Sequence, residues 1–375
     1  MSKKVYHIYY NTAGNSGLYL NPIHNALKDI YEQKFFVNKY YPLDIPNFIR
    51  LFFPLTEKNE NNIHKHILKF NFIRKVLRFF ELKYGNNKML NIIKKEQPDI
   101  INYSFTNMPD VLSILKKLKS VSPKSILIIT CHDVLPFSST NHISYQKVYN
   151  LADFLMVHNI NSIHILRETY NIVEKKILYH PFPLIDLSIL QNKVTVKTNK
   201  QPVFLFIGVM REEKGVQYLV NAWNKLGEGF PAQLIIAGFK PENVSINFKQ
   251  IQSFSNVKLL VKALTDAEYF NLVSMCDYVI FPYTQVGNSG VLSTIVSLNK
   301  IPVTTQLNTF MESPYVLNEL SCKPKDVDEL INLISRVTFS FHNKIDEQKL
   351  YVAEALNNAN RNFALMVRKA YNKCL

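Results

Sequence analysis

Residues 277–292 read Asp277-Tyr278-Val279-Ile280-Phe281-Pro282-Tyr283-Thr284-Gln285-Val286-Gly287-Asn288-Ser289-Gly290-Val291-Leu292, and the order of residue types in this stretch decides the fold class. Tyr278 to Phe281 is short, apolar and rich in β-formers, as a strand buried on both faces of a parallel sheet must be. Pro282 ends it, and the following residues are small and polar. From Val291 the apolar positions Val291, Ile295 and Leu298 recur at helical spacing. The stretch therefore predicts a strand, a glycine-containing loop and a helix N-terminus. Ser289 and Gly290 fall where the first free N–H groups of that helix should lie. Unpaired donors and the helix dipole point the same way there, which suits an anion. An ordinary βα turn with a serine N-cap has the same composition, so both readings stand on these residues alone.

The next segment, Lys300-Ile301-Pro302-Val303-Thr304-Thr305, reads as a further short strand reached after one helix. The succession of strand, Pro-Tyr, loop, Ser-Gly-Val, helix and x-Pro-Val resembles the donor-binding segment of family 4 glycosyltransferases with the GT-B fold. The resemblance implies that the amides of Ser289, Gly290 and Val291 cradle the diphosphate of a nucleotide sugar. It assigns Tyr283 and Asn288 to the same donor site.

Upstream, residues 202–207 read as an apolar strand that runs into Gly208-Val209-Met210-Arg211-Glu212-Glu213-Lys214-Gly215-Val216. A helix follows, with Leu219, Ala222 and Trp223 on one face. Arg211 and Lys214 are placed to converge on one anion, Arg as a planar fork and Lys as a point charge. A solvated loop in which Glu212 and Glu213 neutralise those charges is the competing reading. Gly-x-x-Arg-x-x-Lys-Gly after a strand resembles the family's diphosphate-binding loop, with Gly208, Arg211, Lys214 and Gly215 on the motif positions. Some members carry arginine directly after the first glycine; Val209 stands there, which leaves the charge to Arg211.

The N-terminal half alternates strands and helices, a pattern that predicts a parallel sheet with helices on both faces. After the first strand comes Gly14-Asn15-Ser16-Gly17-Leu18, nearly the same word as Gly287-Asn288-Ser289-Gly290-Val291. Two helix-leading loops on opposite walls of a cleft would share such a word, with Gly14, Asn15 and Ser16 binding donor. Chance repetition is the alternative. A strand over residues 125–130 ends in Cys131-His132-Asp133, and polar groups at that end of a parallel strand project into a binding crevice. An isolated His-Asp pair is most simply a loop histidine with a neighbour. The segment Thr130 to Pro136 resembles the family's His-Asp loop, which implies that His132, with Asp133, serves the reaction centre under the transferred sugar.

Composition bounds the partners. The 375 residues suffice for two domains, and 47% hydrophobic content makes the chain globular. No apolar run is long enough to span a bilayer, and the N-terminus leads straight into a strand rather than into a signal-type apolar region. Cys131, Cys276, Cys322 and Cys374 are scattered without metal or redox spacing, so a reduced, cytoplasmic protein is expected. The formal charge of +15 asks for an anionic partner. Residues 64–95 carry nine Lys and Arg against one acid, Glu81, with Ile67, Phe70, Ile73, Leu77 and Phe80 interleaved at spacings of three and four. This predicts a basic amphipathic helix. Its apolar stripe either faces the core or, with the aromatic segment 48–53, rests on an anionic membrane. Zinc-finger spacing, RNP-type aromatics and a helix-turn-helix are missing from the sequence, so nucleic acid is not expected as a partner.

The expectation is an α/β chain of GT-B type, two Rossmann-like domains facing across a cleft. An N-terminal acceptor-side domain covers residues 1–183, and a nucleotide-sugar domain covers 184–335. A helical tail over 336–375 crosses back to the first. The resemblance implies a hexosyltransferase using a UDP- or GDP-linked sugar as substrate, with no separate cofactor. No Asp-x-Asp stands at a strand end to hold a metal. The acceptor would be a saccharide, lipid-linked as in bacterial surface polysaccharide assembly, met by an enzyme peripheral on the inner membrane face. Many members carry two glutamates around the Ser-Gly-Val turn, one for the sugar and one for the ribose. Gly287 and Thr294 occupy those positions here, and Lys300 replaces the usual glycine before x-Pro-Val. A catalytically inactive, glycosyltransferase-like binding protein is therefore the alternative.

Overall fold

The computed structural model describes residues 2–10, 19–41, 47–53, 55, 71–104, 110–135, 144–184 and 200–375. The chain divides into two compact units, Met1–Pro183 with Asn362–Leu375, and Leu184–Arg361.

The first unit is built from β1 (Lys3–Tyr9), α1 (Leu20–Leu27), β2 (Tyr31–Asn38), β3 (Phe48–Phe52), α2 (Asn71–Glu96), β4 (Ile100–Ser104), α3 (Val111–Val121), β5 (Ile126–Thr130), α4 (Tyr145–Leu151), β6 (Phe154–Val157), α5 (Ile160–Tyr170) and β7 (Ile177–Tyr179). The sheet order is β3-β2-β1-β4-β5-β6-β7, with every pairing parallel. Strands β4, β5 and β6 are buried almost end to end, which is why β5 and β6 read as nearly continuous apolar runs rather than alternating ones, while β4 buries Asn102 and Ser104 among its apolar residues. Strand β2 mixes Glu32, Gln33 and Lys34 into its first half, and that polar content hides it in the sequence. Phe48–Phe52 is a strand of the sheet, and Leu51, Phe52 and Phe53 are buried. The expectation that residues 48–53 add aromatic bulk to a membrane face is thus corrected, because the Phe52 and Phe53 rings are enclosed, Phe52 against Gly85 and Phe53 under Arg78, and Phe48 is half-buried.

The second unit contains β8 (Val203–Ile207), α6 (Val216–Leu226), β9 (Gln233–Ala237), β10 (Val257–Leu260), α7 (Asp266–Met275), β11 (Tyr278–Phe281), α8 (Gly290–Ser297), β12 (Ile301–Thr305), α9 (Asn308–Met311) and β13 (Ser321–Cys322). Its sheet is β10-β9-β8-β11-β12-β13, again parallel in every pairing. Helix α6 lays Leu219, Ala222 and Trp223 into the core, with Trp223 fully enclosed. Helix α7 starts with the capping box read from Thr265 and Glu268. Helix α10 (Val327–Asn372) is unbroken over 46 residues. A boundary after residue 335 falls inside it, and the unit boundary lies at Arg361 instead.

The strand orders position the sites. In each sheet the chain starts at a central strand, builds outward to one edge, then returns to build the other. The order reverses between β1 and β4 in the first unit and between β8 and β11 in the second. Ligands of open parallel sheets bind beyond the carboxyl ends of the strands flanking that reversal.

Candidate functional site

In the second unit the loops beyond β8 and β11 are the two glycine-containing words read from the sequence, so the topology itself brings them together. Three contacts lock them. The Thr284 N–H donates to the Glu213 carbonyl at 2.9 Å. The Lys214 Nζ sits over the Tyr283 ring, 3.8 Å from its centroid, a cation–π contact. Gly215 adopts φ +64°, and a Cβ there would lie 1.9 Å from the Pro282 carbonyl oxygen, so only glycine fits.

Each donor residue read from the sequence of the second unit has a defined place around this junction. Gly208 takes φ +133° at the end of β8 and lies under the Val291 side chain. Arg211 is exposed, with its guanidinium 3.7 Å from the Glu213 carboxylate, so the neutralising partner weighed from the sequence is Glu213. That ion pair is half in water and is worth little. Lys214 is half-buried, and Tyr283 is buried. Burial pushes the Tyr283 phenol well above its ordinary value, and a hydrogen bond with Ser289 acts against this. The Ser289 hydroxyl accepts the Leu292 N–H at 3.2 Å, which makes it the α8 N-cap. The N–H groups of Gly290 and Val291 have no partner among the described residues. Asn288 is half-buried in the same loop. Lys214 and two free helix donors thus share the end of the sheet where the strand order reverses, a setting for a diphosphate.

The departures from the family pattern have structural places. Thr294 is buried and its hydroxyl donates to the Gly290 carbonyl at 2.8 Å, one turn back in α8. It does not reach the loop surface. Lys300 donates to the Ser274 and Cys276 carbonyls at 2.9 and 2.7 Å, closing the C-terminal end of α7. Burial lowers its pKa. Thr305, which the sequence reading missed, donates to the Tyr283 carbonyl at 2.7 Å and pins the start of the loop. A hydroxyl at the end of a strand neighbouring β11 is the signal that could have found it.

In the first unit His132 follows β5. Gly14, Asn15 and Ser16 lie outside the described residues. His132 is surrounded by groups that the sequence did not single out. The Tyr19 ring meets it edge-on at 4.8 Å between centroids, and the His158 ring lies 5.3 Å away. His158 and His180 are themselves 4.7 Å apart. The His158 Nδ1–H donates to the His180 carbonyl at 3.2 Å, and the His180 Nδ1–H to the Pro181 carbonyl at 2.8 Å. Both Nε2 atoms are then acceptors, and both face one hydroxyl, that of Tyr19, at 3.3 and 3.4 Å. Burial pushes His132 down to about 4, helped by His180, and burial pushes His180 to about 4 as well. At neutral pH His132 is an uncharged imidazole. Asp133 is half-buried beside it. Among the described residues no three His, Cys, Asp or Glu side chains converge as a metal site requires.

Residues 201–338 match the family described as glycosyl transferases group 1. No curated protein matches the chain in sequence. Solved structures match it over its whole length. A glycosyltransferase from Rickettsia africae ESF-5 is 15% identical with a TM-score of 0.66, covering 100% of this chain and 98% of that one. WaaG, a glycosyltransferase involved in lipopolysaccharide biosynthesis, is 14% identical with a TM-score of 0.59, covering 98% of both. The catalytic domain of starch synthase IV from Arabidopsis thaliana, bound to ADP and acarbose, is 12% identical with a TM-score of 0.65, covering 99% of both. The fold is GT-B, with two Rossmann-like domains.

Proposed function

We propose that the protein is a hexosyltransferase that moves a sugar from a UDP- or GDP-linked donor to a saccharide acceptor. The observation that carries this reading is the junction of the Arg211–Gly215 and Tyr283–Val291 loops at the reversal of the second sheet. Breaking the bond between sugar and diphosphate leaves negative charge on the leaving phosphate. Lys214, Arg211 and the α8 amides are placed to stabilise that charge, and such preorganised donors contribute strongly to rate. They let the reaction proceed without a bound metal. His132, uncharged at neutral pH, touches the transferred sugar and orients it by hydrogen bonding, with Asp133 beside it.

The acceptor is lipid-linked, as in bacterial surface polysaccharide assembly, and the enzyme works in the cytoplasm against the inner membrane face. The support is the positive charge of the chain and the likeness of its fold to that of a lipopolysaccharide glycosyltransferase. The absence of a helix long and apolar enough to cross a membrane, among the described residues, is compatible with this.

One observation favours a second reading, a catalytically inactive relative that binds glycan. Gly287 and the buried Thr294 stand where many members have carboxylates, and neither can hold a ribose diol as a carboxylate does. A thermal-shift screen with UDP- and GDP-sugars and the bare nucleoside diphosphates separates the two. Transfer predicts a rise in melting temperature with at least one nucleotide. No shift with any of them favours the binding protein.

A further inference from the structure

Helix α2 has two halves with opposite relations to the protein. On its inward face Leu82, Met89, Leu90 and Ile93 are buried, and the backbone at Gly85 comes within reach of Phe52. In its first half most of the apolar side chains face water, with Leu77 half-buried and Leu82 buried. Phe72 is 79% exposed, Phe79 61%, Phe80 59% and Tyr84 69%. With Val76 these residues follow a spacing of three and four, so they form one continuous stripe. The arginines lie elsewhere. Arg74 and Arg78 are half-buried, and the Arg78 guanidinium stacks 3.6 Å above the Phe53 ring. Cations packed on the protein and aromatics in water are the reverse of an ordinary surface helix.

Lysine completes the pattern. Lys75 and Lys83 are exposed within or beside the stripe, Lys88 lies one turn further on, and none of them forms an ion pair among the described residues. Glu81, the only acid between residues 64 and 95, accepts the Leu55 N–H. An exposed aromatic stripe edged by unpaired lysines fits a surface that is apolar inside and anionic at its rim. A second copy of the chain fits poorly, because it would bring the same lysines against these.

We infer that the first half of α2 is an interfacial anchor for an anionic lipid bilayer. Phe72, Phe79, Phe80 and Tyr84 enter the headgroup boundary, and Lys75 and Lys83 meet lipid phosphates. The anchor builds on the membrane acceptor proposed above. Its test uses no sugar and no nucleotide, so its failure and the failure of the transfer reading are seen separately.

The test is co-sedimentation of the full chain with vesicles of phosphatidylcholine, alone or with phosphatidylglycerol as about a third of the lipid, at low and high salt. The wild type should sediment with the anionic vesicles at low salt, lose most of that binding at high salt, and ignore the neutral vesicles. The pair Phe79→Ser, Phe80→Ser leaves the charge unchanged, yet should lower the bound fraction at least about tenfold. The pair Lys75→Gln, Lys83→Gln should do the same and weaken the preference for anionic lipid. Arg78→Gln is the wrong probe, because it removes a packed side chain. Wild-type protein that stays in the supernatant with anionic vesicles at low salt overturns the anchor. So does a lipid-free dimer in analytical ultracentrifugation that the phenylalanine pair dissolves.

Discussion

Gly215 and Pro282 approach so closely that no side chain fits between them: a Cβ on Gly215 would stand 1.9 Å from the Pro282 carbonyl oxygen. The residues belong to different loops, one after β8 and one after β11, so their contact sets the distance between the two halves of the candidate diphosphate site. Gly215→Ala should therefore cost at least about 2 kcal/mol, from the left-handed backbone and from the backbone shift together. It should also weaken nucleoside diphosphate binding. Gly229, with open space around it, is the control. Urea melts of both variants check this; equal stability for the two would show that the contact is not constraining.

Lys214 is held over Tyr283 rather than loose in solvent, so its ammonium is oriented before any ligand arrives. Lys214→Ala should lower affinity for the bare nucleoside diphosphate by about 1.5–3 kcal/mol, the usual scale of charged hydrogen bonds. Arg211→Ala should cost less, because Arg211 is exposed and leans on Glu213. Isothermal titration reads both. Unchanged affinity in Lys214→Ala removes the lysine from the site.

The second unit was largely legible because its strands are short apolar runs punctuated by Gly and Pro, and its loops carry their chemistry within a few residues. The first unit was less so. Tyr19, His158 and His180 each look like a lone polar or aromatic residue in sequence, and only the fold gathers them around His132. Helix α2 illustrates a different limit. Its amphipathic spacing is plain, but periodicity does not say which side meets the core. Here the apolar side of the first half faces outward, while Arg78 packs inward on Phe53. Helix α10 reads in sequence as a helical tail from residue 336 on; its start at Val327 is missed, because Val327 to Arg361 serves one unit and the rest the other, so no single stripe runs its length.

His132 should separate turnover from binding. In the proposed function it is a neutral imidazole under the transferred sugar and acts on the reacting group, not on the diphosphate. His132→Ala should lower turnover at least about 100-fold, within the range for a positioned acid–base or hydrogen-bonding group. Affinity for the nucleoside diphosphate should stay within about twofold, well under the 1.4 kcal/mol that a tenfold change represents. Single-turnover kinetics with the donor found by thermal shift, alongside titration, gives both numbers. Equal small effects on the two would make His132 a structural loop residue.

The buried histidines also fix how stability responds to acid. The folded values of His132 and His180 are both about 4, below the 6.5 of an unfolded histidine, with burial as the main cause. In that window the unfolded chain takes up protons that the folded chain refuses. The sign follows: their contribution is fully present above pH 6.5 and is lost as pH falls from 6.5 towards 4. Each group contributes at most about 3.4 kcal/mol over the window, at about 1.36 kcal/mol per unit, and less where the two are coupled. The Tyr19 hydroxyl can donate to only one of the two Nε2 atoms it faces, on His158 and His180. His180→Asn keeps a donor for the Pro181 carbonyl and removes the titrating ring. It should lower stability at pH 7 through lost packing, yet shrink the further loss between pH 7 and pH 4.5. Urea midpoints of wild type and variant at pH 7.0, 5.5 and 4.5 measure this. The same acid-induced loss in both proteins would mean that carboxylates, not this cluster, govern the acid limb.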